Sequence, residues 1–109
     1  MIYLASPYSH PDPEVREQRF KEVCRIAGDL MRNGALVFSP IAHSHPIAMT
    51  GDLPLASEYW ERYNRAWLAA CDSLLVCLID GWHESKGIAA EMRIAEELGI
   101  PIELYPCPR

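Results

Sequence analysis

Ser73-Leu74-Leu75-Val76-Cys77-Leu78-Ile79 decides the fold. After its opening serine the run is apolar without interruption, closed by Asp80-Gly81. A strand with one wet face alternates apolar and polar residues. A strand covered on both faces does not, and such strands belong to parallel sheets flanked by helices. The rest of the chain supplies the helices. Phe20, Val23, Ala27 and Leu30 recur in steps of three and four, which predicts a helix from Pro13 to Asn33. Asp12 caps it, Pro13 opens it and Asn33-Gly34 ends it. A third segment, Glu58 to Cys71, is helical and rich in aromatics, with Ser57 as its cap and Asp72 at its end. The last helix runs from Ser85 to Gly99.

Short strands fill the gaps: Met1 to Ala5, Ala35 to Phe38, and Ile100 to Tyr105. Ile41 to Leu55, with Pro46, Gly51 and Pro54, has no sustained period and is expected to be a long loop holding at most one helical turn. Strand and helix alternate, so the expected architecture is α/β. It is a doubly wound, flavodoxin-like parallel sheet of four to five strands, with helices on both faces, in a single domain covering residues 1–109. Ligands of such sheets bind outside the carboxyl ends of the strands. Here that edge gathers Ser6 to Tyr8, Pro40 to His45, Asp80 to Ser85, and the start of the last helix.

Composition narrows the function classes. The net charge of -5 opposes a nucleic-acid polymer or anionic membrane surface, yet it permits a single bound nucleotide. No apolar run approaches the roughly 20 residues of a membrane span, and Met1-Ile2-Tyr3-Leu4-Ala5 lacks the basic start of a signal peptide. Cys24, Cys71, Cys77 and Cys107 show no paired metal spacing, and His10, His43, His45 and His83 lack the helical spacing of a metalloprotease. Reduced, mostly packed thiols in a cytoplasmic protein are expected, with no metal and no cofactor.

The chemistry concentrates at Ser85-Lys86-Gly87-Ile88-Ala89-Ala90-Glu91. At about 100° per residue, Ile88, Met92, Ala95 and Leu98 share one arc, and Glu91 falls inside it. An unpaired charge there costs several kcal/mol, roughly, so Glu91 is either a structural ion-pair partner or an active-site group. It stands about 9 Å along the helix from Ser85, at about 1.5 Å per residue. Ser85, Lys86 and Gly87 open that helix, where free N–H groups favour an anion, or they are simply a cap, a solvated lysine and a packing glycine. Asp80 is either a second carboxylate at the site or a turn residue with Gly81. His43 and His45 either meet a ligand or face solvent. Tyr3 either aims its hydroxyl at the crevice or belongs to the core. Ser6, Tyr8 and Trp82 lie on the converging segments and are expected to meet the ligand. Tyr59, Trp60, Tyr63 and Trp67 form a stripe expected to be core or a subunit interface.

Ile2-Tyr3-Leu4-Ala5-Ser6-Pro7, Trp67-Leu68-Ala69-Ala70-Cys71-Asp72 and Gly81-Trp82-His83-Glu84-Ser85-Lys86-Gly87 running to Glu91 resemble the nucleoside 2-deoxyribosyltransferase-like superfamily. The closest likeness is to its small uncharacterised bacterial and phage branch, related to the 2'-deoxynucleoside 5'-phosphate N-hydrolases. The resemblance covers nearly the whole chain. It implies cleavage of a nucleoside or nucleotide N-glycosidic bond, by hydrolysis or transfer. By that resemblance Glu91 attacks C1' of the sugar, Ser85 contacts the sugar or its 5'-phosphate, and Tyr3 positions Glu91. The chain departs from the pattern at Asn64, where the family usually carries an acid/base aspartate. Asparagine transfers no proton, so Asp80 or a histidine replaces it, or the chain hydrolyses weakly, or it binds nucleotides without turnover. Longer relatives also place C-terminal residues in the site, for which Arg109 is a poor substitute. Two readings follow, an N-glycosidase and a non-catalytic nucleotide-binding or sensor module, with a structural oligomeric domain as a third. A homodimer or homotetramer is expected, joined through the aromatic helix.

Overall fold

The computed structural model describes residues 1–107, so Arg109 lies outside the described residues. The elements are β1 (Ile2–Ala5), α1 (Pro13–Arg32), β2 (Val37–Phe38), α2 (Pro40–Gly51), α3 (Ser57–Ala69) and β3 (Ser73–Cys77). A short 3-10 turn (Trp82–Glu84), α4 (Lys86–Leu98) and β4 (Ile102–Tyr105) complete them. The four strands form one sheet in the order β2-β1-β3-β4, and every pairing is parallel. The doubly wound α/β expectation holds, with four strands.

Side-chain alternation along the strands divides the core in two. Tyr3, Ala5, Leu74 and Val76 point to one face and pack with Leu68 of α3 and Ile88, Ile94 and Ala95 of α4. Leu4, Cys77 and Val37 point to the other, with Ile79, and pack with Val23, Ile26 and Ala27 of α1. The central pair β1 and β3 runs in register from Ile2↔Ser73 to Ala5↔Val76. From β1 the chain crosses outward to β2, then returns past β1 to β3. The direction of winding therefore reverses between the carboxyl ends of β1 and β3, where a crevice opens.

Local signals explain most boundaries. Asp12 accepts a hydrogen bond from the Glu14 amide, and Ser85 accepts one from the Ile88 amide. Gly34 and Gly99 follow α1 and α4 with φ of 93° and 72°. Several boundaries differ from expectation: α3 ends at Ala69 rather than Cys71, β3 ends at Cys77 rather than Ile79, and β4 begins at Ile102 rather than Ile100. β2 is only Val37–Phe38. At the start of α3 the cap position is Ala56, with no side-chain hydrogen bond, and Ser57 is already helical.

The larger correction is α2. Residues expected to be a loop form twelve residues of helix, capped by Ser39 accepting from the Ala42 amide. Its buried face is Pro40, Ser44, His45 and Ala48. That face is half polar, so a hydrophobic period cannot reveal it. Pro46 sits inside the helix but is exposed, and its ring faces away from the packed side. The aromatic stripe of α3 is partly spent within the subunit. Trp67 packs on the core, while Trp60 donates its indole N–H to the Pro54 carbonyl at 2.9 Å.

Candidate active site

Glu91 is 4% exposed although it carries a carboxyl group. The buried face of α4 is Ile88, Glu91, Ile94 and Ala95, not the arc through Met92 and Leu98 expected from spacing. Leu98 is exposed at the helix end and Met92 only flanks the core, so Glu91 lies at the centre of the inward face. No arginine or lysine pairs with it among the described residues. The Tyr3 hydroxyl donates to its Oε2 instead. Tyr3 is fully buried at the base of β1, with Cys71 beside it.

These surroundings set the charge. Burial pushes the Glu91 carboxyl up to about 8, against the opposing pull of the Tyr3 hydrogen bond. Burial and the neighbouring Glu91 hold the Tyr3 phenol well above its ordinary range, so it remains a donor. With one hydrogen bond, from Tyr3, and no cation beside it among the described residues, Glu91 is not half of a structural ion pair.

Glu91 reaches a narrow cavity of about 60 Å³ at the reversal of winding. Ser6 and Tyr8 come from the loop after β1, Ser44 and His45 from α2, Asn64 from α3, and Ser85 and Gly87 from the start of α4. The buried hydroxyls of Ser6 and Ser44 have no hydrogen-bond partner among the described residues. Buried hydroxyls are usually partnered, so these two polar groups in one cavity wall stand out. Through Ser9, Leu55, Ser57 and Ser85 the cavity adjoins a wider cleft of about 470 Å³, which Arg16, Lys86 and Glu84 also line. The outer cleft alone falls in the roughly 300–1,000 Å³ range of small-molecule sites, and the Glu91 cavity is a small recess beside it.

Of the residues expected at the crevice, Ser6, Tyr8, Asn64, Ser85, Gly87 and Glu91 converge on the cavity. Lys86 lines only the outer cleft. Tyr3 stands behind Glu91 and does not reach the cavity. Asp80 is exposed at the turn before Gly81 and lies off the cavity. His43 is also off it. It is exposed, with its ring 5.8 Å from Phe38 and 5.2 Å from Trp67. Trp82 packs against the core and against His83 at 3.8 Å, not toward the cavity. The helix spacing that brings His45 inward turns His43 outward. His45, Ser44, Ser57 and Trp60 are the lining residues that sequence reasoning underrated. The signal available was Ser39-Pro40, a cap and helix-opening proline of the same kind as Asp12-Pro13.

Arg19 of α1 secures the entrance. Its guanidinium donates to the Ser9 carbonyl at 2.9 Å and lies against Gly81, whose φ is 93°. A Cβ on Gly81 would stand 2.3 Å from Nη2 of Arg19. Arg19 thus bonds to the loop after β1 and packs against the loop after β3. Among the described residues, no group of three or more His, Cys, Asp or Glu side chains is arranged to hold a metal.

Residues 1–106 match the family described as Domain of unknown function (DUF1937). The chain belongs to that family. The match spans every described element, so in this DUF1937 chain the Glu91 cavity is part of the family domain and not an appendage to it. No curated protein matches the chain. No helix among the described residues is long and apolar enough to cross a membrane.

Proposed function

We propose that this DUF1937 chain cleaves the N-glycosidic bond of a nucleoside or nucleotide through a covalent glycosyl intermediate on Glu91. The observation that carries the proposal is the buried Glu91 carboxyl, held through Oε2 by Tyr3 and reaching a polar cavity at the carboxyl edge of a parallel sheet. The resemblance of the Tyr3 and Ser85-to-Glu91 segments to deoxyribosyltransferase-like proteins supports the same reading. With Oε2 taken by Tyr3, Oε1 is the attacking atom. The sugar carbon C1' accepts it as the bond to the base breaks, and water or a second base then releases the sugar. Ser6 and Ser44 lie in the cavity wall, and their buried, unpartnered hydroxyls would reach sugar oxygens on rotation about χ1. The outer cleft, with Arg16 and Lys86, takes the part of the ligand that projects outward. Incubation with a panel of nucleosides and nucleoside 5'-monophosphates, followed by chromatography for free base, tests the proposal.

A non-catalytic nucleotide-binding module is the second reading, and Asn64 favours it. Asn64 lines the cavity where a proton donor is wanted, yet has no proton to give. A binding module takes up a nucleotide in equilibrium dialysis without releasing base. We also propose a homo-oligomer joined through α3, whose Tyr59 and Tyr63 stay only half-buried within the subunit. A dimer or larger mass by light scattering at micromolar concentration is the expected result.

A further inference from the structure

Glu17, His45 and Tyr8 form one hydrogen-bonded chain that ends in the cavity. His45 is buried on the inner face of α2. Its Nε2 lies 3.0 Å from Oε1 of Glu17, and its Nδ1 lies 2.5 Å from the Tyr8 hydroxyl. A carboxylate only accepts, so Nε2 carries a hydrogen and Nδ1 is left to exchange one with Tyr8. Phe20 stacks on the imidazole at 4.3 Å and fixes its rotation. The three residues come from α1, α2 and the loop after β1, so tertiary packing assembles the chain.

A buried histidine is satisfied by any two polar partners. This one is joined to a half-exposed carboxylate on one side and, on the other, to a phenol that lines the same cavity as Glu91. Carboxylate, imidazole and hydroxyl in that order make a proton-transfer chain, in which the carboxylate orients the ring and the ring exchanges a proton with the hydroxyl. A phenol at the end is a poor nucleophile toward a sugar but a good proton carrier.

We infer that Tyr8 gives the proton to the departing base and that His45, oriented by Glu17, resupplies it. The inference rests on the glycosidase reading. In the first step the bond from Glu91 Oε1 to C1' forms as the C1'–N bond breaks. The electron pair of the broken bond stays with the base, which takes the Tyr8 hydroxyl proton. The Nδ1 proton of an imidazolium on His45 passes to the phenolate, leaving His45 neutral. In the second step water attacks C1' and gives its proton to Tyr8, whose own proton returns to Nδ1. The pair of the C1'–Oε1 bond returns to Glu91 as carboxylate. Water is the only co-reactant, and Asn64 takes no part in the transfer. Tyr8 is the catalytic residue of this chain; His45 and Glu17 are positioning residues.

The test compares guanosine with 7-methylguanosine, each also as the 2'-deoxynucleoside, and reads base released in the first turnover. The methylated base leaves without needing a proton. Tyr8→Phe should slow release from the ordinary nucleoside by about 10²- to 10⁴-fold, the usual worth of general acid assistance, and leave the methylated one unchanged. Glu17→Gln, at a half-exposed position that tolerates change, should slow only the ordinary nucleoside, by about tenfold. Glu91→Gln should abolish both. Thermal melts confirm that each variant folds. Equal losses on both substrates, or wild-type rates for both Tyr8→Phe and Glu17→Gln while Glu91→Gln is inactive, overturn the proton chain alone. Wild type that releases base from neither substrate, nor from any other nucleoside or nucleoside 5'-monophosphate, overturns the proton chain and the glycosidase reading together.

Discussion

At the scale of the residue, Glu91 joins stability to function. Its folded carboxyl is raised from 4.5 to about 8, so between those values the folded chain holds a proton that the unfolded chain has released. Stability therefore falls as pH rises through that window. The loss is complete above about pH 8 and is on the order of several kcal/mol, at roughly 1.36 kcal/mol per unit. Glu91→Gln keeps an acceptor for Tyr3 and cannot ionise. Its thermal midpoint should exceed that of the wild type at pH 8.5 and approach it near pH 4. Equal midpoints at both values would show that Glu91 is not buried as described. If Glu91 is the nucleophile it must be charged, so in Tyr8→Phe, where the proton on His45 no longer matters, kcat/KM should rise with an inflection near pH 8; a Tyr8→Phe profile that falls there would make Glu91 a general acid instead. Two glycines separate site from scaffold. Gly81→Ala combines a positive φ with a collision at Arg19, and thermal melts should show a loss of about 1–3 kcal/mol. Gly87 meets only the Ser85 hydroxyl, at an ordinary 3.7 Å. Gly87→Ala should keep or slightly raise the melting temperature while the added methyl, in the cavity lining, weakens nucleotide binding by equilibrium dialysis.

At the scale of the element, the sequence announces what is capped and apolar and conceals what is polar and buried. Asp12-Pro13, Ser85 and Gly99 locate α1 and α4 because capping and left-handed termination are local events. α2 escapes because its inner face carries Ser44 and His45, which read as solvated loop residues unless the cavity they line is known. The Tyr8–His45–Glu17 chain escapes for a related reason. Its links span 37 and 28 residues, and nothing local to any of the three signals the others. Asp80 and His43 show the converse error. They have suitable chemistry at the right edge of the sheet, but their side chains point elsewhere. Pro46 leaves α2 without one internal hydrogen bond. Pro46→Ala should therefore raise the thermal midpoint, with a gain of up to about 3 kcal/mol less the entropy returned to the unfolded chain. A lower midpoint would mean that the proline ring makes contacts α2 depends on.

At the scale of the whole molecule, an apolar run and the handedness of strand–helix–strand crossovers suffice to place a site. Leu74 to Ile79 demands a sheet covered on both faces, and the order β2-β1-β3-β4 puts the reversal of winding beside Ser6 and Tyr8. What the pattern does not specify is which side chains turn into the opening, because that depends on the rotation of α2 and α4 about their axes. Rotation brings Glu91 to the centre of its face and His45, not His43, to the cavity. The result is one cavity with a buried carboxyl, two unpartnered hydroxyls and a phenol tied to a histidine. The central claim is that this carboxyl breaks a glycosidic bond. The most direct measurement is chromatographic release of free base from nucleosides and nucleoside 5'-monophosphates by the wild-type chain and by Glu91→Ala. Release by the wild type and none by Glu91→Ala is the predicted result. No release by the wild type from any of them, or undiminished release by Glu91→Ala, would contradict it.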